Sequence, residues 1–243
     1  MSFTIDKDRI FNTTNSLTRL KKELLKTGDG STTLHLPKWN EQYHSKHGAI
    51  QEALHVFIEH GFQYFYNQET PSSIAVLEIG FGTGLNALLT YLASKEKDAL
   101  HVDYTGLEAY PVALNEIETL NFAEQLGISK SEYTTLHSGV WEEAEVISDR
   151  FNLTKKNIRF EDFTSSEDFD LIYFDAFGPR VQPELWETAI FEQMFAALKP
   201  NGVLVTYSAK GEVRRTMQRV GFTVERLPGP PGKREMLRAV KKV

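Results

Sequence analysis

Cysteine is absent from this sequence. Disulfides, thiolate nucleophiles and cysteine-based zinc sites are therefore excluded, which suits a protein of the reducing cytosol. Long apolar runs are also missing and the N-terminus has no apolar signal core, so we expect a cytoplasmic protein that does not enter a membrane. Glycine and proline are sparse, at 16 and 9 residues, and 41% of the chain is hydrophobic. This composition indicates an ordinary folded protein.

Positive charge is also in short supply. The 27 Lys and Arg residues are outnumbered by 33 Asp and Glu residues, which gives a formal net charge of -6. Non-specific binding of a polyanion is disfavoured, because phosphate contacts need concentrated positive charge. Local basic groups occur in residues 19–22, 214–219 and 233–242. Each of these alone is typical of a solvated surface.

Two patterns follow each other along the chain without a repeat, a low-complexity tract or a linker between them. Residues 1–48 contain short apolar groups broken by turn-forming residues, which is typical of short strands or hairpins. Residues 49–66 carry apolar side chains at helical spacing, which predicts a helix with one buried face. We expect an N-terminal extension over residues 1–70, packed on a single catalytic domain formed by residues 71–243.

After residue 71, short apolar strands alternate with helices, the signature of a mostly parallel sheet. Strands are predicted over residues 74–79, 101–107, 158–160, 170–174, 203–207, 223–227 and 236–240, and helices over 85–93, 112–126, 186–198 and 211–220. Residues 133–151 are ambiguous, with a strand-like segment over 133–136 and a short helix over 142–149. The last two strands flank a Pro/Gly-rich turn and predict an antiparallel hairpin. The expected fold class is α/β, Rossmann-like, with this hairpin at the C-terminal end.

A glycine-rich loop follows the first of these strands, in residues 77–84 (LEIGFGTG). Glycines let the backbone approach a nucleoside closely, and the next helix offers free N–H groups. Gly82, Gly84 and Ala87 also match a dinucleotide fingerprint. Glu78, however, would repel a pyrophosphate and attract the ammonium of S-adenosylmethionine. We therefore favour S-adenosylmethionine as the cofactor, with a dinucleotide or a purely structural turn as alternatives.

Acidic residues end two further predicted strands. Glu108 ends the second strand, where a carboxylate can accept both ribose hydroxyls of an adenosyl group. Asp162 follows the third, where it could accept a hydrogen bond from an adenine amino group or could cap a helix. Ligands of open α/β sheets bind at the carboxyl ends of the strands. We therefore expect Glu78, Glu108 and Asp162 in one cofactor site.

Asp175 directly follows a buried strand and is the candidate catalytic residue. A carboxylate beside the transferred methyl group can orient an amine and accept its proton during in-line attack. The alternative is an aspartate that only stabilises a turn. Tyr173, Phe177 and Trp186 could form an apolar wall for a planar substrate, although such residues are more often part of the core.

His44 and His47 lie in a polar segment ahead of the first predicted helix. No matching acidic or histidine spacing completes a metal site around them, so no metal is expected. Contact with the substrate or structural hydrogen bonding accounts better for both residues. The sequence contains no Ser-His-Asp arrangement and no P-loop.

Short blocks spread over nearly the whole chain carry a more specific signal than the glycine loop. They are Thr27-x-Asp29-Gly30-Ser31-x-Thr33-Leu34, Tyr43-His44-Ser45 with Gly48-Ala49 and Glu52, Glu78-x-Gly80-Phe81-Gly82-Thr83-Gly84-Leu85-Asn86, Asp175-x-Phe177-x-Pro179 with Trp186, Pro200-x-Gly202, Val213-Arg214-Arg215, Gly221-Phe222 and Gly232-Lys233-Arg234-Glu235-Met236-Leu237. Together these blocks resemble the MnmC-type tRNA methyltransferase domain family.

The resemblance implies a methyltransferase that uses S-adenosylmethionine and acts on the 5-aminomethyl group of the wobble uridine in tRNA, often with 2-thiolation. It implies that Asp175 binds the substrate amine. The candidate cofactor residues are Glu78, Gly80, Phe81, Gly82, Gly84, Asn86, Glu108 and Asp162, and the candidate substrate residues are Phe177, Pro179, Arg214, Arg215, Lys233 and Arg234. Bifunctional relatives carry a fused FAD-dependent oxidase domain. Because this sequence stops at Val243, no FAD is expected in it.

A tRNA substrate requires positive charge near the site in spite of the acidic total. The residues expected to gather around the pocket are Arg214, Arg215, Lys233 and Arg234, with Lys21 and Lys22 as further candidates. A transferase acting on a small amine is the first alternative, since Asp175 would serve it equally. A non-catalytic tRNA- or nucleotide-binding module and a nicotinamide oxidoreductase are the others. The oligomeric state is left open.

Overall fold

The structure is a computed structural model that describes residues 21–242. The first 20 residues of the predicted N-terminal extension, with Arg19 of the first basic group, lie outside the described residues, as does Val243. Within the described range no helix combines the length and the apolar character that crossing a membrane requires.

A small antiparallel sheet begins the described chain, in the order β1 (Glu23–Lys26), β2 (Thr32–Leu36) and β3 (Glu41–Gln42). Asp29 organises the turn between the first two strands: its Oδ1 accepts from the Thr27 hydroxyl at 2.7 Å and from the Ser31 amide at 3.0 Å. Its Oδ2 accepts from the Gln51 amide at 3.0 Å, at the start of the first helix. This confirms the short strands expected here and explains the Asp29-Gly30-Ser31 block as a turn that docks on a helix.

One long helix follows, as its apolar spacing predicts. It runs from α1 (Ala49–Ala53) through a π-helical segment (Leu54–Gln63) into α2 (Tyr64–Glu69). Phe57, Phe62 and Phe65 on this helix are buried. Gly61 lies against the sheet, since a Cβ there would be 3.0 Å from Val205 Cγ2.

Within residues 21–242 the main sheet has eight strands, in the order β10-β11-β9-β8-β4-β5-β7-β6. Its strands are β4 (Ser73–Ile79), β5 (His101–Leu107), β6 (Ala144–Ser148), β7 (Phe151–Lys156), β8 (Phe169–Phe174), β9 (Leu198–Thr206), β10 (Thr223–Pro228) and β11 (Glu235–Val240). The pairs β9·β8, β8·β4, β4·β5 and β5·β7 are parallel, and the outer pairs β6·β7, β9·β11 and β10·β11 are antiparallel. The predicted α/β class, its mostly parallel sheet and its terminal hairpin are confirmed.

Helices cover both faces of this sheet. They are α3 (Leu85–Lys95), α4 (Leu114–Ile117), α5 (Phe122–Leu126), α6 (Lys130–Ser138), α7 (Thr188–Ala197) and α8 (Gly211–Val220), with 3-10 turns at Phe160–Asp162 and Pro183–Trp186. The single helix expected over residues 112–126 is therefore two short ones. The break is tied to the N-terminal sheet, because Asn121 Oδ1 accepts from the Thr32 amide at 2.8 Å and Asn121 Nδ2 donates to the Gly30 carbonyl at 3.0 Å.

Residues 130–160 differ most from the prediction. The strand expected over 133–136 lies within α6, which begins with a capping box between Ser129 and Glu132. The helix expected over 142–149 is strand β6, and the strand expected at 158–160 is the approach to a 3-10 turn. The missed strand β7 alternates buried and half-buried residues, and one of its buried residues is a lysine, Lys155. Its Nζ donates to the Gly139 carbonyl at 3.0 Å, which gives the buried ammonium a hydrogen-bond partner.

A smaller difference concerns the helix expected over 186–198. It begins at Thr188 after a 3-10 turn and ends at Ala197, so the Pro200-Asn201-Gly202 segment lies inside strand β9. The register between β8 and β9 shifts at this point, between Phe169 and Leu171. The irregular pairing accommodates a proline that cannot donate a backbone hydrogen bond.

The sheet separates two hydrophobic cores, because successive side chains of a strand point to opposite faces. In β4, Ile74 and Val76 belong to one core and Leu77 and Ile79 to the other. The first core also contains Leu34 of the small sheet and the aromatic residues of the long helix. The described part of the segment before β4 (residues 21–72) thus shares a core with the main sheet.

Candidate active site

A cavity of about 400 Å³ opens at the carboxyl ends of β4, β5 and β8. Its walls come from the glycine loop, the segments after β5 and β8, residues 41–47 and the turn between β10 and β11, which we call the terminal turn (residues 229–234). Small-molecule sites occupy roughly 300–1,000 Å³. The cavity therefore has the size and the position expected for a cofactor site in an open α/β sheet.

The glycine loop passes directly against the segment that carries Asp175. Gly80 has a φ of 94°, and a Cβ at this position would lie 2.8 Å from the Asp175 carbonyl oxygen. The amides of Gly80 and Phe81 both donate to the Leu107 carbonyl, at 3.1 and 2.9 Å. The Phe81 side chain is buried and packs 5.7 Å from the His137 ring. Glycine is thus required at position 80 by both its φ and the close approach of two loops.

Glu78 and Asn86 form a buried polar pair beside this loop. Glu78 Oε1 accepts from Asn86 Nδ2 at 2.8 Å, and Oε2 accepts from the Tyr104 hydroxyl at 2.8 Å. Burial raises the pKa of Glu78 well above its ordinary value, and the nearby charge of Asp175 raises it further. Among the residues described, Asn86 Oδ1 is a buried acceptor with no hydrogen-bond partner. An unpaired acceptor between two carboxylates fits a positively charged ligand group and not a pyrophosphate.

Glu108 stands at the end of β5, as its place in the sequence predicts. Its Oε1 accepts from the Tyr110 amide at 2.8 Å and its Oε2 from the Gly82 amide at 3.0 Å. Burial raises the pKa of Glu108, while these two backbone hydrogen bonds oppose the rise. Because each carboxylate oxygen can accept more than one hydrogen bond, Glu108 could still bind ribose hydroxyls.

Asp162 lies elsewhere. It is exposed in the 3-10 turn Phe160–Asp162 and does not line the cavity, whereas Phe160 and Glu161 of the same turn do. The third parallel strand ends at Lys156, earlier than the sequence indicates, so the turn that follows presents a different acidic residue.

Asp175 is half-buried at the end of β8 and lines the cavity. Its Oδ2 accepts from Asn86 Nδ2 at 2.9 Å, so Asn86 bridges Asp175 and Glu78. Burial raises the pKa of Asp175 well above its ordinary value, and the charge of Glu52 raises it further. The Asn86 hydrogen bond and the Lys233 charge act in the opposite direction. A carboxylate in this environment binds a proton more readily than an exposed one.

Glu52 and Tyr207 line the same end of the cavity but were not candidates from the sequence. Glu52 is buried and pairs with Lys233, whose Nζ lies 3.8 Å from the centroid of the Tyr207 ring. Two sequence signals existed for Glu52, and the first is its place in one of the blocks that carry the family resemblance. The second is that it lies on the buried face of the predicted helix with Ala49 and Ala53, and a charged residue on such a face needs a partner.

The histidines of residues 43–47 have structural contacts. His44 Nδ1 lies 3.0 Å from the Thr33 hydroxyl and His44 Nε2 lies 3.1 Å from the Thr83 hydroxyl, so the ring ties the small sheet to the glycine loop. Burial lowers the pKa of His44 to about 4, and the ring is neutral at physiological pH.

Away from the cavity, His55, Glu59 and His60 on the π-helical segment bring three metal-ligand atoms within 4.8 Å of one another. The sequence predicted no metal, and this group was not recognised as a unit because π-helical spacing, not α-helical spacing, brings His55 and His60 together.

The predicted substrate residues are divided between several places. Phe177 and Lys233 line the cavity, whereas Pro179 and Arg234 do not. Arg215 lines a separate surface depression with Arg219, and Arg214 is half-buried on the same helix, α8. Lys21 pairs with Glu23 at 2.7 Å and Lys22 with Glu116 at 2.9 Å. The expected gathering of basic residues around the pocket is therefore incomplete.

The lining of the cavity is acidic. Among the described residues, seven Asp or Glu residues line it against three Lys or Arg residues. The acidic residues are Glu41, Glu52, Glu78, Glu108, Glu161, Asp175 and Glu184, and the basic residues are Lys46, Arg159 and Lys233. Such a lining attracts cations, among them ammonium and sulfonium groups.

Known proteins match this chain in both sequence and fold. A family described as S-adenosyl-L-methionine-dependent methyltransferase matches residues 139–242. The tRNA 5-methylaminomethyl-2-thiouridine biosynthesis bifunctional protein MnmC of Leptospira interrogans is 31% identical over 219 residues, which cover 82% of this chain and 32% of that protein. The MnmC protein of Polaromonas naphthalenivorans is 29% identical over 231 residues, which cover 88% of this chain and 35% of that protein. The chain spans about a third of the length of these curated relatives.

Two solved structures show the same fold. MNMC2 from Aquifex aeolicus has a TM-score of 0.73 at 23% identity and covers 100% of this chain and 79% of its own. Spermidine synthase from Thermotoga maritima has a TM-score of 0.53 at 14% identity, and the match covers 92% of this chain and 70% of the synthase. The resemblance identified from the sequence blocks is confirmed by the MnmC relatives. Residues 139–242 match the S-adenosyl-L-methionine-dependent methyltransferase family, and the chain is similar to MnmC over most of its length.

Proposed function

We propose that this protein methylates the primary amine of 5-aminomethyl uridine, with or without 2-thiolation, at the wobble position of tRNA. The observation that carries the proposal is that three carboxylates, those of Asp175, Glu52 and Glu78, line the cavity. Such a group attracts the ammonium form of an amine. The modified uridine is taken from the name of the MnmC relatives. The acidic cavity supports the proposal that the substrate nucleoside carries a cationic amine.

The residues around the glycine loop fit S-adenosylmethionine. In this proposal Glu78 and Asn86 bind its ammonium, Glu108 binds its ribose hydroxyls, and the backbone at Gly80 and Gly82 passes close to the nucleoside. Phe160 and Glu161 are the lining residues nearest to the sequence position expected for adenine contacts, in place of Asp162. When bound, the cofactor supplies an electrophilic methyl group on a sulfonium sulfur.

Asp175 orients the amine and takes up its proton. A substrate ammonium must lose one proton before its nitrogen lone pair can form the new N–C bond, while the S–C bond breaks and its electron pair stays on sulfur. A carboxylate with a raised pKa is a better proton acceptor for this step than an ordinary one. Asn86 holds Asp175 Oδ2 at 2.9 Å and leaves the other carboxylate oxygen for the amine.

Phosphate contacts of the tRNA are assigned to basic residues outside the acidic lining. Arg234 on the terminal turn is exposed, and Arg214 and Arg215 lie on α8. The cavity itself then receives only the modified base, and its negative charge does not oppose the phosphates directly.

The decisive experiment is mass spectrometry of tRNA nucleosides after incubation with an isotopically labelled methyl donor. We expect label on the 5-aminomethyl group of the wobble uridine, converted to 5-methylaminomethyl uridine. Transfer RNA that lacks the aminomethyl group is the matched control and should stay unlabelled. Absence of label from the aminomethyl-bearing tRNA would overturn the proposal.

A second candidate is a transferase acting on a free polyamine. The excess of acidic residues in the lining favours it, because a polyamine is a small multivalent cation. Turnover with spermidine and with aminomethyl-bearing tRNA separates the two candidates directly.

A further inference from the structure

One carboxylate of the cavity lining, Glu52, forms an ion pair with Lys233, a residue with no role in the chemistry described above. Glu52 on α1 is buried, and its Oε2 accepts from the Ser45 amide at 3.0 Å. Its Oε1 pairs with Nζ of Lys233, whose side chain is 32% exposed. The pair joins the first helix of the described chain to the terminal turn.

Lys233 is also held by an aromatic face. Its Nζ lies 3.8 Å from the centroid of the Tyr207 ring, within the range of a cation–π contact. The Tyr207 hydroxyl donates to the Ala176 carbonyl at 2.8 Å, which fixes the ring beside Asp175. The primary ammonium of Lys233 thus contacts both the Glu52 carboxylate and the face of the Tyr207 ring.

The terminal turn is shaped to deliver this lysine. Gly232 has a φ of 84°, and a Cβ at this position would collide with the His47 ring. The turn therefore packs tightly on residues 43–47, while Lys233 extends from it into the cavity. Its long stem has several rotatable bonds and can swing outward without movement of the backbone.

The charges at this end require a cation. Glu52 and Asp175 are close enough for the charge of Glu52 to oppose ionisation of Asp175, and Lys233 offsets this effect. If Lys233 swung out with nothing in its place, two partly desolvated carboxylates would face each other. A substrate ammonium would restore the balance, because it carries the same charge and the same kind of donors as Lys233.

We propose that Glu52 and the face of Tyr207 form a binding site for a primary ammonium next to Asp175, and that Lys233 fills this site until the substrate displaces it. The inference rests on the proposed amine methylation and extends it from Asp175 to three further residues. Lys233 is then an internal competitor of the substrate, whereas Glu52 and Tyr207 position the amine.

The proposal predicts effects of opposite sign for the two partners of the ion pair. Glu52→Gln removes the charge that attracts the ammonium but can still accept from Ser45, and it should raise the KM for aminomethyl-bearing tRNA at least about tenfold. Lys233→Met removes the competitor and should lower this KM severalfold. In the double variant, Lys233→Met should no longer lower the KM, because position 52 lacks the carboxylate for which Lys233 and the substrate compete.

Two variants serve as matched controls. Arg234→Met removes the same charge from the same turn, so a loss of phosphate attraction alone would raise the KM in both Arg234→Met and Lys233→Met. Glu59→Gln removes an exposed carboxylate of the same long helix outside the cavity and should leave the KM unchanged. A raised KM in Lys233→Met, or an unchanged KM in Glu52→Gln, overturns the inference.

A binding measurement separates failure of this inference from failure of the proposed function. Calorimetric titration with spermidine at constant ionic strength reports binding of a primary ammonium without methyl transfer. Tighter binding by Lys233→Met and weaker binding by Glu52→Gln would support the site even if the wild-type protein failed to methylate tRNA. Equal affinities in all three proteins would overturn it. Should Glu52→Gln fail to fold, the sign of the Lys233→Met effect alone decides the outcome.

Discussion

The two ends of the cavity hold their charged groups in different ways. At the glycine-loop end, Glu78 and Glu108 each accept two hydrogen bonds from fixed partners, at 2.8 to 3.0 Å. At the other end, Glu52 accepts one hydrogen bond from the Ser45 amide and is neutralised by Lys233, a flexible side chain on a turn. Under the proposed function, the first end would be a preorganised site for the cofactor and the second an adjustable site for a substrate that must enter and leave.

The largest expected effect comes from the residue between the two ends. Asp175→Ala should lower the rate of methyl transfer by about 10²–10⁴-fold, because the amine loses both its orienting group and its proton acceptor. The affinity for S-adenosylmethionine should change little. Single-turnover kinetics and calorimetry measure the two quantities. An equal loss of cofactor affinity would show that the two ends are not separate sites.

Gly80→Ala tests the rigidity of the glycine-loop end. A Cβ would lie 2.8 Å from the Asp175 carbonyl at a φ of 94°, so we expect a loss of about 1–3 kcal/mol in the free energy of unfolding and at least about tenfold weaker cofactor binding.

Gly127→Ala is the matched control for this substitution. Gly127 has a φ of 66° but no atom within 4 Å of the added Cβ, so only the backbone penalty of about 1–2 kcal/mol applies and cofactor binding should be unaffected. Equal cofactor affinities in the two variants would contradict the close approach of the two loops.

Asp175→Asn should stabilise the protein at neutral pH. The pKa of Asp175 is raised in the folded state, so ionisation opposes folding, and the free energy of unfolding falls as the pH rises above the unfolded-state pKa of about 4. The variant escapes this loss while its amide oxygen still accepts from Asn86. Thermal unfolding at pH 8 should show a Tm a few degrees higher than the wild type, and the gap should close as the pH falls towards about 4.

The smallest expected effect concerns the basic residues outside the cavity. Replacing Arg214 and Arg215 with glutamine should raise the KM for tRNA by about two- to fivefold and weaken its dependence on salt, with no change in cofactor affinity. Lys95→Gln, at the end of α3 away from the glycine loop, is the matched control and should leave the KM unchanged. An unchanged KM in the arginine variant would show that Arg214 and Arg215 do not contribute to tRNA binding.

Local sequence patterns predicted the secondary-structure elements of the glycine-loop end well. The apolar runs of β4 and β5 and the spacing of α3 and α8 place these elements within two residues of their observed ends. Glu78, the glycine loop and Asn86 come from one continuous strand, loop and helix, so their proximity follows from local geometry. Asp162 does not line the cavity because the strand before it, β7, ends earlier than predicted. The sequence did not indicate β7, since one of its buried residues is a lysine. The capping box at Ser129 and Glu132 was a local signal for helix α6 that the strand-like residues 133–136 outweighed.

The other end of the cavity was predicted only in part. Asp175 was a candidate because it follows a buried strand, and Lys233 through the family resemblance, whereas Glu52 and Tyr207 were not candidates. Glu52, Asp175, Tyr207 and Lys233 come from four separate segments, and no local pattern in any of them identifies the others. Hydrophobic periodicity predicts which face of a helix or strand is buried, but it does not predict which charged residue packs against that face. By itself, the sequence determined the α/β fold, the glycine loop and the acidic ends of two strands, because these depend on residues close together in the chain. Only the tertiary structure decided that Lys233 meets Glu52 and Tyr207 beside Asp175, because packing across one cavity brings the long helix and the terminal turn together.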